Sequence, residues 1–371
     1  MRLDQTLWRG YGRRIAGLMV LAAGWLVSGC QTASYYRQAI RGQCQIVLHQ
    51  ERIETLLTAT TTTPESLKEK FRVILQARAF AEEELKLPAG RHYLNYVDVR
   101  RRFVVWNIHA APEFTLEPKS WCYPFIGSAK YRGFFSEQDA ARYAETLRQN
   151  GYDVYVEGVE AYSTLGWFAD PVLNTFVHHD PPELAEVIFH ELTHQRLFIG
   201  GDTDFNEALA TTVAEEGLRR WLQAREDEAT YAQYQAQQAR QQQFVKLVMG
   251  ARHQLETVYG DDPAHPGKRR ALNLSEAAQR RQAKEQLIAQ LRRDYEVLKA
   301  EWGGYAGYDE WFRQPLNNAQ LNTVDTYYTL VPAFRRILQA HDGNLEQFFK
   351  EVRRLSKLPK KERQRQLQAF L

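Results

Sequence analysis

His190-Glu191-Leu192-Thr193-His194 sets two imidazoles four residues apart with a carboxylate between them. In an α-helix that spacing brings both rings to one face, one turn apart, where they can hold a single tetrahedral ion. Glu191 projects about 100° further round the helix, which suits it poorly as a ligand but well as a base acting on a metal-activated water. Such a set would perform hydrolysis, with two metal ligands and a proton acceptor. A catalytic zinc takes three protein ligands and keeps one position open. Glu207, in Phe205-Asn206-Glu207-Ala208, is the natural third ligand. Gly200-Gly201 breaks the chain before it, so a second helix beginning near Asp204 can turn back and present Glu207 in its first turn. Read alone, Glu207 is rather an acidic residue favoured by a helix N-terminus, and it is the company of His190 and His194 that makes it a ligand candidate. Asp202 and Asp204 are its rivals, although both suit loop and capping positions better.

The elements that must position these groups are legible around them. Asp180-Pro181-Pro182-Glu183 reads as a helix start, with Asp as N-cap and proline at the first helical positions. Leu184, Val187, Ile188 and Leu192 give that helix an apolar body. Upstream, Tyr35–Leu57 and Pro64–Leu87 read as two helices of a hairpin joined by Thr58–Thr63. Tyr93–Val99, Phe103–His109 and Ser120–Ile126 read as strands, rich in Val, Tyr, Trp and Phe. Ser136 caps a helix to Gln149 that Asn150-Gly151 closes, and Tyr152–Val156 is a further strand. Downstream, Leu218–Tyr259 and Ser275–Ala300 read as long, partly exposed helices, with a surface loop near His265 between them. The last dozen residues, basic and polar, read as loosely held. The fold class expected is α+β and predominantly α-helical. A mixed α/β portion (30–170) would lead into a helical, metal-bearing portion (171–371), the two forming one unit with the site in the cleft between them.

Forty-eight basic against 45 acidic residues leave a net charge of +3, and the basic clusters are diluted by Glu and Gln in helical stretches. This excludes a nucleic-acid footprint, which needs basic residues gathered on one face. The first 29 residues read as a signal segment: Arg2, Arg9, Arg13 and Arg14, then an apolar run from Ile15 to Val27 that is short for a membrane span. It ends in Val27-Ser28-Gly29-Cys30, which resembles a bacterial lipobox, so Cys30 is the expected site of cleavage and acylation. Gln31 rather than Asp follows it, and the resemblance then implies the outer membrane, facing the periplasm. Lipidation would consume one of three cysteines. In an oxidising compartment the remaining Cys44 and Cys122 are candidates for a disulfide. Nothing in the sequence sets an oligomeric state.

His-Glu-x-x-His followed by Asn-Glu-x-x-Ala resembles the gluzincin peptidases, whose third zinc ligand is a Glu on the next helix. With the lipobox, Tyr162–Phe168 and Asn317-Asn318-Ala319, the chain is similar to a bacterial family of predicted lipoprotein aminopeptidases. The resemblance implies one zinc ion, a peptide substrate, and an edge strand beside the substrate near Tyr162–Phe168, with Gly166 and Trp167 in contact with it, the alternative being that Trp167 and Phe168 are core aromatics. It also implies an oxyanion donor downstream in Asp325-Thr326-Tyr327-Tyr328. Tyr328 is taken as that donor, although sequence does not separate it from Tyr327. Two departures stand out. Only twelve residues separate His194 from Glu207, fewer than in the thermolysin-like and large aminopeptidase gluzincins, and Thr211 occupies the position one turn past Glu207 where those families carry Asp. The rival readings are a non-catalytic envelope lipoprotein with a structural or vestigial metal site, and a zinc hydrolase of non-peptide amides.

Overall fold

The computed structural model describes residues 30–58, 62–123, 127–164, 167–260 and 273–371. The expected signal segment and Gly166 therefore lie outside the described residues, as do parts of the Thr58–Thr63 connection, residues 124–126 of the third expected strand and the loop near His265. Helix α1 (Cys30–Leu48) leads to β1 (Glu51–Arg52), a single helical turn α2 (Ile53–Leu56) and α3 (Glu65–Glu83). Strands β2 (Asn95–Val97), β3 (Val105–Pro112), β4 (Trp121–Tyr123), β5 (Gly127–Ala129) and β6 (Arg132–Phe134) follow. Helix α4 (Glu137–Gln149) separates them from β7 (Tyr152–Val159) and β8 (Val172–Leu173). The rest is helical: α5 (Pro181–Arg196), α6 (Thr203–Ala224), α7 (Glu228–Tyr259), α8 (Leu274–Glu301), α9 (Asp309–Arg313), α10 (Asn318–Tyr328), α11 (Val331–Ala340), α12 (Leu345–Ser356) and α13 (Lys360–Gln368). At 62% helix with a few small sheets, the protein is α+β and predominantly α-helical.

One sheet has the order β6-β3-β7, antiparallel throughout, with Asn107 opposite Gly133 on one side and Glu157 on the other. A second, β1-β2-β8, pairs β1 and β2 antiparallel and β2 and β8 parallel, and β4 with β5 form a separate pair. The largest core joins α3, α5, α6 and the C-terminal helices through Phe71, Ile188, Phe189, Phe205, Phe334 and Phe348, each fully buried. Helices α5 and α6 approach closely because Gly217 stands where a Cβ would meet Phe189 at 2.8 Å.

Several expectations are corrected. The helix expected over Tyr35–Leu57 stops at Leu48, because Glu51 and Arg52 are drawn into pairing with Tyr96 and Asn95. Helices α1 and α3 do not form a hairpin, since α1 lies on β6 while α3 lies on α5. The C-terminal dozen residues are not loose: α13 buries Arg363 and Leu367. The bridge expected between Cys44 and Cys122 is not formed, and both are free, exposed thiols. Helix α1 turns Gly42 and Ile46 inward, which rotates Cys44, two residues on from Gly42, about 200° round to the outer face.

Gly42 fixes how α1 sits. A Cβ there would fall 2.1 Å from Phe135 Cγ and 2.4 Å from its Cβ, atoms too close to the backbone to swing aside. Around this contact Phe135 N–H donates to Gln38 Oε1 at 2.8 Å and the Tyr162 hydroxyl donates to Gln43 Oε1 at 2.5 Å. Gly42→Ala is therefore expected to lower stability by about 1–3 kcal/mol through overpacking. Urea unfolding of the variant measures this, and an unchanged midpoint would contradict the tight seating of α1.

A candidate metal centre between two helices

Helix α5 begins at Asp180, whose side chain makes no capping hydrogen bond. Its first turn is fastened from outside instead. His179 pairs with Glu160 at 2.6 Å and with Glu183 at 3.1 Å, and these two acids raise its pKa to about 10. Lys70 also donates to the His179 carbonyl at 2.8 Å. From there the helix divides its surface. Leu184, Ala185, Ile188, Phe189 and Leu192 are buried in the core. His190, Glu191 and His194 line a cavity of about 580 Å³ on the other side.

The twelve-residue connection from His194 to Glu207 works because it is clamped. Ile199 N–H donates to Asn206 Oδ1 at 2.9 Å, while Asn206 Nδ2 donates back to the Ile199 carbonyl at 2.8 Å. Gly201, at φ +80°, makes the turn and packs against Gly127 of β5, where a Cβ on Gly127 would lie 2.8 Å from the Gly201 nitrogen. Asp202 accepts from Arg363 Nη2 at 2.5 Å and Nε at 2.9 Å, and it lies 3.3 Å from Lys360. Asp204 accepts from Lys130 at 2.6 Å. Both rivals to Glu207 are therefore committed to cations, and Glu207 alone is turned toward the imidazoles.

His190 Nε2 lies 3.3 Å and His194 Nε2 3.7 Å from Glu207 Oε2. Ligand atoms of His190, His194 and Glu207 all fall within 4.8 Å of one another. Donors bound to one tetrahedral zinc stand roughly 3.3–3.6 Å apart, given bonds of about 2.0–2.2 Å. Two imidazoles and a carboxylate match that requirement in number and type, and the two nitrogen–oxygen distances lie close to that spacing. The opposite ring nitrogen of His194, Nδ1, is buried without a hydrogen-bond partner among the described residues.

The electrostatics follow from burial. Burial pushes the Glu207 carboxyl up, but His194 and His190 outweigh it and hold its pKa below the usual range. Burial lowers His194 to about 4, against the pull of Glu207, so this imidazole is neutral at pH 7. Burial also works to lower His190, but Glu207, Glu191 and Glu186 win and raise it. Glu191 is raised to about 7 by burial, opposed by His190 and reinforced by Glu207 and Asp170. Glu186 lies one turn before His190 on α5. Its carboxyl is pushed up to about 7 by burial and by Glu215, while His190 draws it down.

The structure separates the two downstream tyrosines by position. Tyr327 lines the cavity, whereas Tyr328 is rotated away and its oxygen accepts from Gln241 Nε2 at 2.6 Å. Glu207 in the first place, and then burial, raises the Tyr327 pKa well above 10, so it stays an O–H donor. Asn317 and Asn318 fasten α10 so that Tyr327 arrives there. Asn317 caps the helix, while Asn318 Nδ2 donates to the carbonyls of Pro112, Glu113 and Thr115, and its Oδ1 accepts from Tyr259. Tyr131, unmarked by any sequence pattern, also lines the cavity and is raised by burial, Glu207 and Glu191.

The described part of Tyr162–Phe168 is not a strand. Thr164 donates to Asp170 at 2.5 Å, Phe168 N–H donates to Thr164 Oγ1 at 3.1 Å, and Gln195 donates to Ser163 at 2.6 Å, so the segment is a turn anchored on a buried carboxylate. Trp167 does reach the cavity rim and is 67% exposed. Strands border the cavity elsewhere, among them β5 through Ser128 and Ala129 and β3 through Val105 and Asn107.

The Asp202–Arg363 pair separates support from ligation. Asp202→Ala strands a buried guanidinium, so stability is expected to fall by about 3–5 kcal/mol. Folded Asp202→Ala protein should nonetheless retain its metal at the stoichiometry of the unaltered chain. Loss of metal from the folded variant would mark Asp202 as a ligand.

None of the curated proteins and none of the solved structures matches this chain. One family profile does, over residues 34–367, and its description is "Putative aminopeptidase". That span runs from within α1 to within α13 and takes in His190, Glu191, His194 and Glu207, and the chain belongs to this family.

Proposed function

We propose that this protein is a zinc-dependent peptidase of the gluzincin type, acting as an aminopeptidase, with His190, His194 and Glu207 as the metal ligands and Glu191 as the base. The observation that carries the reading is the convergence of three donor atoms within 4.8 Å, with a second carboxylate, Glu191, outside that set on the helix that carries both imidazoles. A structural zinc would close its shell with a fourth protein donor, and the described residues offer three.

Zinc held by this set supplies a Lewis acid that acidifies water and polarises a carbonyl. The protein's own groups do the rest. Glu191, buried beside the ligands, accepts the proton of the attacking water and delivers it to the departing amine. Tyr327 offers its hydroxyl proton to the carbonyl oxygen as negative charge gathers there, with Tyr131 as a neighbouring phenol. Asn206 acts indirectly, holding the loop that lets Glu207 meet the imidazoles.

His190→Ala, His194→Ala and Glu207→Ala should each lose zinc and activity together. Glu191→Gln keeps the ligands and the shape but removes the proton acceptor. It should keep its zinc while hydrolysis drops by roughly 10²–10⁴-fold. Atomic absorption and a peptide assay read both quantities. A fully active Glu191→Gln protein would rule out this mechanism.

We also propose that the chain is a lipoprotein of the cell envelope, anchored through Cys30 at the outer membrane. This rests on the Arg-rich start, the short apolar run and Val27-Ser28-Gly29-Cys30. No described helix is long and apolar enough to cross a membrane. Mass spectrometry of the membrane fraction should find an acylated Cys30 at the N-terminus, and an unmodified Cys30 or an intact Met1 would argue the reverse.

A further inference from the structure

The cavity over the metal centre is walled by aromatic side chains. Tyr35 comes from α1, Phe135 follows β6, Tyr162, Trp167 and Phe168 come from the turn anchored on Asp170, and Phe198 follows α5. Phe135 and Tyr162 meet edge to face, with ring centres 5.7 Å apart. Trp167, Phe168 and Phe198 are 67%, 45% and 37% exposed, although all three line a concave site. Large apolar surface held open to water inside a concavity is surface that a ligand covers.

Charge in the cavity points the same way. Among the described residues, no Lys or Arg lines it, and its acids are Glu191, Glu207 and Asp202. Glu207 belongs to the ligand set and Glu191 is the base, while Asp202 is sealed by Arg363 and Lys360. A charged substrate side chain entering here would lose its hydration and find no free counter-charge, whichever its sign. An apolar one would gain by burying itself against the rings.

We infer that the cleft selects peptides carrying a bulky apolar side chain, aromatic or branched aliphatic, next to the bond that is cut. The inference rests on the hydrolytic reading above and adds to it the class of substrate. At about 580 Å³ the cavity has room for such a side chain together with the adjoining backbone. Trp167, Phe168 and Phe198 set the preference from the rim, and Tyr35 and Phe135 set it from the wall. Because α1 supplies Tyr35, Ala39 and Gln43 at successive turns, the first helix of the described chain forms part of the selecting surface.

The test uses the full-length protein, zinc-loaded, with short peptides identical except for Phe, Leu, Ala, Asp or Lys beside the scissile bond. Phe or Leu should exceed Ala by roughly 10–200-fold in kcat/KM, with Asp and Lys below Ala. Calorimetric binding of the same peptides to the Glu191→Gln protein should give the same order. Trp167→Ala and Phe198→Ala, at partly exposed positions, should shrink the Phe-to-Ala ratio toward one. Val297→Ala, on the exposed surface of α8 and not lining the cavity, should leave the ratio unchanged. Equal or better binding and cleavage of Asp or Lys peptides would overturn the inference. Turnover of no peptide, with the apolar order kept in binding, would support the cleft assignment and contradict the hydrolytic reading instead.

Discussion

The structure depends on holding one carboxylate against two imidazoles at the wall of a cavity, with His194 and Glu207 buried and His190 partly open. Glu207 is nearly buried, and its oxygen sits 3.3 and 3.7 Å from the two Nε2 atoms. Burial alone would drive that carboxyl toward neutrality and strip the imidazoles of any proton. The cluster persists as a charged site because its members offset one another's desolvation, which requires them to stay within a few ångströms. A divalent cation would satisfy all three at once, in place of any proton between His190 and Glu207. The surrounding architecture can be understood as the means of enforcing that spacing.

That enforcement is distributed over distant parts of the chain. Asn206 closes the turn with two reciprocal hydrogen bonds, Gly201 and Gly127 bring two backbones into contact, and Arg363 reaches in from α13 to fix Asp202. The helical C-terminus is therefore part of the site even though none of its residues faces the metal ligands. The β6-β3-β7 sheet forms the opposite side of the cavity through Val105, Asn107, Gly133 and Val159. Helix α10, fastened on Asn318, delivers Tyr327 between sheet and helices.

Sequence displays the chemistry at close range and hides what acts at long range. His190, Glu191, His194 and Glu207 were legible because the i, i+4 spacing and the break at Gly200-Gly201 are local signals. The helix that Ser136 starts was legible for the same reason, since its side chain accepts a hydrogen bond from the Asp139 backbone. The choice between Tyr327 and Tyr328 was not legible, since adjacent helical residues differ by a rotation that only packing resolves. The end of α1 at Leu48 was invisible because its cause, the pairing of Glu51 with Tyr96, lies 45 residues away. Neither the Asp202–Arg363 tie nor the free state of Cys44 and Cys122 leaves a local trace. The turn around Asp170 resembles an extended segment in composition, and only its hydrogen bonds reveal it as a loop.

The central claim is that these three side chains hold one catalytic zinc ion and leave part of its shell open. X-ray absorption at the zinc edge, combined with anomalous diffraction from crystals of the purified protein, tests this most directly. The account predicts one zinc per chain, bound by two imidazole nitrogens and one carboxylate oxygen of His190, His194 and Glu207, with the remaining donors light atoms from solvent. Zinc found elsewhere in the chain, a shell completed by a fourth protein side chain, or a purified protein that takes up no divalent metal would contradict it.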